Sequence, residues 1–262
     1  MSMELLDWSI LAPAIAAGLL ILSTHVPLGQ EVLKRGIIFI DLATAQIAGL
    51  GVLLAGVMHW EDNVWAVQAS AVSAALLASA FLHWTEKRWP HSQEPLIGVM
   101  FVLAATGSIL LLAENPHGAE HLKDLLVGQI LWVTWSSLIP IAILYAVILI
   151  AWFKFHDHIG QRGFYIIFAF MVTASVQLVG VYLVFSSLII PALATRRLHG
   201  RKRLATGYIL GACAYVLGIV LSALFDLPTG AITVWSMAFV GLLAGGLVAS
   251  HLNKKAAASA AA

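Results

Sequence analysis

The sequence predicts an all-α polytopic membrane protein: about eight transmembrane helices, plus a short re-entrant helix and a cytoplasmic coupling helix. Composition, the spacing of apolar runs and the placement of charge predict it. Of 262 residues 61% are hydrophobic and 10% charged, against roughly 25% charged in an ordinary soluble domain. A soluble chain this short has too little interior to hide that surface. At about 20 apolar residues per crossing, it has enough to line about eight helices. A soluble enzyme is excluded.

Apolar runs fall at 8–28, 36–58, 64–83, 95–113, 125–152, 164–190, 205–225 and 230–251. The connectors between them are short and polar, so residues 1–252 read as one transmembrane domain and 253–262 as a disordered alanine-rich tail. Glu4 and Asp7 precede the first run without a basic residue. A cleaved signal peptide wants the opposite charge, so the first helix is expected to stay. Trp60, Trp65, Trp84, Trp89, Trp152 and Trp235 lie near run ends, as interfacial belts do. The lone Cys213 excludes an internal disulfide and any CxxC motif. A net charge of +1 without a basic domain excludes a nucleic-acid role.

Simple alternation of eight spans would split lysine and arginine almost evenly between the two sides, against the positive-inside rule. Placing every basic connector in the cytoplasm puts thirteen of the fourteen inside and leaves only Lys123 outside. The N-terminus is then outside and the C-terminus cytoplasmic. The stretch 164–195 must consequently leave the cytoplasm and return within about 32 residues, where two full helices need about 40. One helix and a short returning half-helix, broken near Gly180 and ended at Pro191, satisfies the count. Irregular backbone at that depth must be buried in protein or line a cavity, so the break is expected beside a translocation path.

Asp41, about six residues into the second run, is costly in a membrane unless paired, solvated or functional. Its helical face carries Ala45, Ala48, Gly49 and Val52, nearly all small, with Gln46 one position round. Asp41 and Gln46 are therefore read as substrate-pathway residues, with Asp41 the metal-contacting one; a structural aspartate is the alternative. The cluster TRRLHGRKRL follows the re-entrant element directly and reads as a docking helix or as plain anchoring. His117, Glu120 and His121 spell H-x-x-E-H, formally an inverted zinc-protease motif. Set at a connector beside Asn115-Pro116 and Gly118, they read as a solvated loop or a weak external metal-capturing patch. His156, Asp157 and His158 read as a cytoplasmic connector. Gly207-x-x-x-Gly211 and Gly241-x-x-x-Gly245 are close-packing signals. Neither a G-x-x-x-x-G-K-[ST] phosphate loop nor a G-x-S-x-G elbow occurs, so any nucleotide engine belongs to another polypeptide.

Several stretches resemble the zinc/manganese class of ABC-transporter membrane permeases. Pro27-Leu28-Gly29, Lys34-Arg35 and Phe39-Ile40-Asp41 resemble that family's PLG…RR…FxGDALSH segment. Glu94 with Ile97-Gly98 resembles its acidic-x-x-IG opening, and the run LVGQIL at 126–131 its LLxGxIL. GVYLVFSSLIIPALATR at 180–196 resembles GxLLVxALLIIPAATAR, the most specific match, and DLPTG at 226–230 resembles DxPxG. The resemblance implies a homodimer in the bacterial inner membrane with the path along its axis. It implies a cytoplasmic ABC ATPase partner, an extracytoplasmic metal-binding protein, membrane lipid around the chain, and a divalent metal as cargo with no cofactor held by the chain. Carried over, the re-entrant piece spans 182 to 190 and the docking helix 191 to 204. ATPase coupling then falls to Pro191, Ala192, Thr195, Arg196, Arg197 and Leu198. One departure stands out: the family's histidine four residues after the aspartate is Ala45 here, and the glycine before the aspartate is Ile40.

The reading is thus an ATP-driven importer subunit for zinc or manganese, itself without an ATPase site. The alternative is an ABC permease for a metal chelate or organic cofactor, which the missing histidine favours. An intramembrane metalloenzyme built on His117, Glu120 and His121, and a stand-alone carrier, are the other classes.

Overall fold

The computed structural model describes residues 8–60, 62–113, 118–155 and 158–260. Among these there is no strand. The helices are α1 (Trp8–Arg35), α2 (Ile40–Val57), α3 (Val64–Arg88), α4 (Gln93–Leu112), α5 (Gly118–Val127), α6 (Trp135–Lys154), α7 (Gln161–Ala194), α8 (Gly200–Phe225) and α9 (Thr229–Ala260). All but the ten-residue α5 are long and apolar enough to cross a membrane.

Burial separates a centre from a periphery. In their most apolar windows α1, α2 and α7 are 56%, 56% and 67% buried, whereas α3, α4, α6 and α9 are 17–22% buried. The outer helices leave Leu103, Leu110, Leu242 and Leu247 uncovered, a surface suited to lipid. Close approach at the centre relies on small residues. A Cβ on Gly211 would lie 2.5 Å from the Leu22 side chain, and one on Gly207 2.9 Å from Val26. The first G-x-x-x-G thus packs α8 onto α1. Gly241 of the second meets Ile190 of α7.

Helix α7 is two arms. Gly180, at φ 76° and ψ 166°, breaks it into residues 161–179 and 181–194. The first arm runs antiparallel to α3: Gln161 donates to Glu86 at 2.8 Å near the end of α3, and the Gln177 and Gln68 amides pair near its start. The second arm runs back. Gly180 and Gly230 both abut Val127, while further along Ile190 lies against Gly241 and Ala194 near Gly245. Leu188 meets Gly29, close to the end of α1. Both ends of α7 therefore lie at one face of the bundle, with Gly180 at the other. Fourteen helical residues cover about 21 Å.

With α7 returning, helix alternation gathers the connectors that hold Lys34, Arg35, Lys87, Arg88, Lys154, Arg162 and Arg196–Arg203 at one face, termed the basic face. Lys34, Arg35, Lys87, Arg88 and Lys154 occupy last turns of their helices, where cations offset the dipole. Asp62 and Asp226 lie at the opposite, acidic face.

Two sequence expectations need correction. The apolar run 125–152 is not one helix. Gly128, at φ 71°, ends α5, and a short 3-10 turn at Ile130–Trp132 follows. Helix α6 begins only after Thr134, whose side chain caps Ser137 in a reciprocal capping box. Nor do residues 191–204 form one docking helix. Pro191 lies inside the second arm, which continues to Ala194. Thr195 stops it, donating its hydroxyl to the Pro191 carbonyl at 2.7 Å; a turn follows, and α8 opens at Gly200. The arm outlasts its proline because the missing N–H removes one helical hydrogen bond while packing on α9 holds the rest.

Candidate functional site

The site is built at the start of α2. Gly36, at φ 71°, turns the chain off α1, Ile37 tucks into the core, and α2 begins at Ile40. Asp41 thus sits in the first turn, where free backbone N–H groups favour a carboxylate. It is fully buried, and no other side chain hydrogen-bonds either carboxylate oxygen. Thr44, one turn on, is also buried with an unpartnered hydroxyl, and so is the Gln46 carbonyl oxygen. Ala45 and Ala48 are buried with them. Further along this face, a Cβ on Gly49 would fall 2.7 Å from Leu125 of α5. Among the described residues no three His, Cys, Asp or Glu side chains gather into a metal cage.

A second polar locus at the centre was not read from the sequence. Tyr145 of α6 shares a 2.5 Å hydrogen bond with Ser175 of the first α7 arm and donates to the Met171 carbonyl at 3.2 Å. His25 of α1 is fully buried; its Nδ1 lies 2.8 Å from the Ile21 carbonyl. A carbonyl only accepts, so Nδ1 carries the proton, and Nε2 has no partner. The signal was present: a histidine between Thr24 and Pro27 inside an apolar run is a polar residue in a membrane span.

The residues read as ATPase contacts divide by burial. Pro191, Ala192 and Thr195 are buried and shape the turn, Arg196 and Arg197 are exposed, and Leu198 is partly covered. The basic cluster therefore presents two arginines from a rigid corner. Of the external triad, Glu120 is exposed in the first turn of α5, while His117 lies outside the described residues, as do Glu61, Glu114, His156 and Asp157. His121 is placed in α5 by its backbone alone.

Over residues 7–161 and 156–246 the chain matches the model of the ABC 3 transport family. The chain belongs to that family. Its relatives include the "High-affinity zinc uptake system membrane protein ZnuB" of Haemophilus influenzae, 24% identical over 257 residues that cover 90% of this chain and 97% of the relative. A "Probable metal transport system membrane protein" of Chlamydia muridarum is 22% identical over 227 residues, 78% of this chain and 77% of that one. Among solved structures, PsaBC from Streptococcus pneumoniae in complex with Fab superposes with a TM-score of 0.75 at 18% identity, covering 93% of this chain and 95% of that chain. For this ABC 3 family chain the fold is that of a membrane subunit, which accounts for the lack of a phosphate loop.

Proposed function

We propose that this chain is the permease subunit of an ATP-driven importer for a divalent metal ion such as zinc or manganese, acting as a homodimer by alternating access. The observation that carries the cargo reading is Asp41: a buried carboxylate on a central helix that no other side chain hydrogen-bonds or pairs. The zinc and metal uptake named for the relatives supports it. Cargo delivered by an extracytoplasmic binding protein arrives at the acidic face and leaves at the basic, cytoplasmic face. Leu125, seated over Gly49, closes the α2 face between Asp41 and the acidic side.

A separate cytoplasmic ABC ATPase engages the corner at Arg196 and Arg197. That corner continues the second arm of α7, which packs on α1 at Gly29 and on α9 at Gly241. Closure of the ATPase then moves the arm as a unit against the central helices and exposes Asp41 to each side in turn. The chain performs no covalent chemistry; its work is positioning and access.

The test is metal content in cells with and without the gene, under metal limitation, with zinc, manganese, iron and cobalt read together by mass spectrometry. A selective fall in one metal supports the proposal. Unchanged contents of all four would overturn it and favour a chelate as cargo.

A further inference from the structure

A groove opens between α3 and the first arm of α7 beside the basic face. Leu76, Ala80 and His83 wall it from α3, and Arg162, Tyr165 and Ile166 from α7; it encloses about 200 Å³. Its two ends differ in chemistry. His83 and Arg162 stand toward the basic face. From His83 the α3 wall descends two turns, about 10 Å, to Leu76, and the α7 wall descends one turn to Ile166. Ile166 is 50% exposed, so the apolar end is open to the outside of the bundle, where lipid lies. Trp84 and Trp89 meet edge to face beside this end of α3, with ring centroids 5.2 Å apart and both rings exposed, as side chains at headgroup level are.

The polar end lacks partners. Arg162 makes no ion pair among the described residues, and neither ring nitrogen of His83 has a hydrogen-bond partner. The first turn of α7 carries no acidic residue, and no side chain caps it, so its backbone N–H groups favour an anion. Lys87 and Arg88, both exposed, add positive charge one turn beyond His83. Glu86 opposes them, but its Oε1 accepts the Gln161 amide at 2.8 Å and its Oε2 is buried.

One end of the groove thus calls for an anion and the other for a hydrocarbon chain. We infer that it binds one anionic phospholipid of the cytoplasmic leaflet, with the phosphate held by Arg162 and the His83 ring N–H and an acyl chain laid along Leu76 and Ile166. Basic pockets between membrane helices on the cytoplasmic side suit such headgroups. The groove is smaller than the roughly 300–1,000 Å³ that encloses a drug-sized ligand, so it seats the headgroup and the start of a chain and leaves the rest in the bilayer. Bound there, the lipid ties the start of α7 to the end of α3 beside the Gln161–Glu86 bond.

The full chain, purified in detergent, is titrated with phosphatidylglycerol and phosphatidylcholine of matched chains and read by native mass spectrometry. The wild type is expected to hold one phosphatidylglycerol, preferred about ten-fold over phosphatidylcholine, as one charge-assisted hydrogen bond allows. Arg162→Gln removes the cation, and Ala80→Trp fills the groove with the charges intact; both should abolish the preference. Lys154→Gln removes a cation from the same face outside the groove and should keep it. Wild-type preference in Arg162→Gln would overturn the inference. An equal loss in Lys154→Gln would also overturn it, leaving only general attraction by the basic face. Retention in a folded Ala80→Trp would place the lipid outside the groove and overturn it; should that variant not fold, the comparison of Arg162→Gln with Lys154→Gln decides alone. Displacement of the lipid by equimolar inorganic phosphate would make the site one for a free anion and overturn it as well.

Discussion

Gly128 and Gly180 meet backbone to backbone at the acidic face, both with left-handed φ, at 71° and 76°. A Cβ on Gly180 would fall 2.4 Å from the Gly128 nitrogen, and one on Gly128 2.1 Å from the Val179 carbonyl carbon. The glycine that ends α5 and the glycine that breaks α7 are thus one feature. Contact between them lets the chain reverse between the arms of α7 while α5 lies across the reversal.

Gly180→Ala is expected to destabilise the protein by about 2–5 kcal/mol, combining a non-glycine left-handed φ with overpacking against backbone that cannot yield. Thermal unfolding in detergent checks this. Gly98, with nothing near its would-be Cβ, supplies the control, and Gly98→Ala should melt as the wild type does. Equal melting of the two variants would mean that the reversal does not depend on this contact.

Asp41→Asn is expected to reduce metal uptake to background, at least ten-fold, while the protein stays in the membrane. Its melting temperature should equal or exceed that of the wild type, because an isosteric amide replaces a buried carboxyl group that no other side chain pairs. Uptake assays alongside thermal unfolding separate the two effects. Undiminished uptake would make Asp41 structural.

Much of this architecture was legible because a bilayer enforces few rules strictly. Apolar runs near 20 residues located most of the spans, and the break expected near Gly180 falls at that residue, whose backbone leaves the helical region. The start of α6 was not legible, since residues 125–134 are as apolar as a span and only the φ of Gly128 and the Thr134 cap divide them. The docking segment was misread because a proline ordinarily opens a helix, whereas Pro191 is carried inside one by packing on α9. Asp41 showed itself as a charge in an apolar run. The bond that Glu94 accepts from the Ile38 N–H did not, because a glutamate at a helix start looks like ordinary capping and nothing local joins residues 56 apart.

Orientation can be read with impermeant thiol reagents. Cys213 is exposed, so the background is Cys213→Ala. In it, Asp62→Cys is expected to label in intact cells and His199→Cys only after permeabilisation; both positions are exposed. Labelling of both from outside would mean that the second arm of α7 does not return. The reverse pattern would invert the protein in the membrane.

Ala45→His places an imidazole one turn from Asp41 on the same buried face of α2. It adds a nitrogen donor beside the Asp41 carboxyl, so competition between manganese and zinc should move toward zinc by at least ten-fold. Ala45 is fully buried, and the larger ring should cost about 1–3 kcal/mol in overpacking, read as a lower melting temperature without metal. Zinc should recover part of that loss, because an ion bound only by the folded state stabilises it in proportion to its affinity. A melting temperature that falls and does not respond to zinc, with an unchanged manganese-to-zinc ratio, would place the cargo away from Asp41. Recovery by zinc but not by magnesium would show that the residue at position 45 sets the metal this face of α2 accepts.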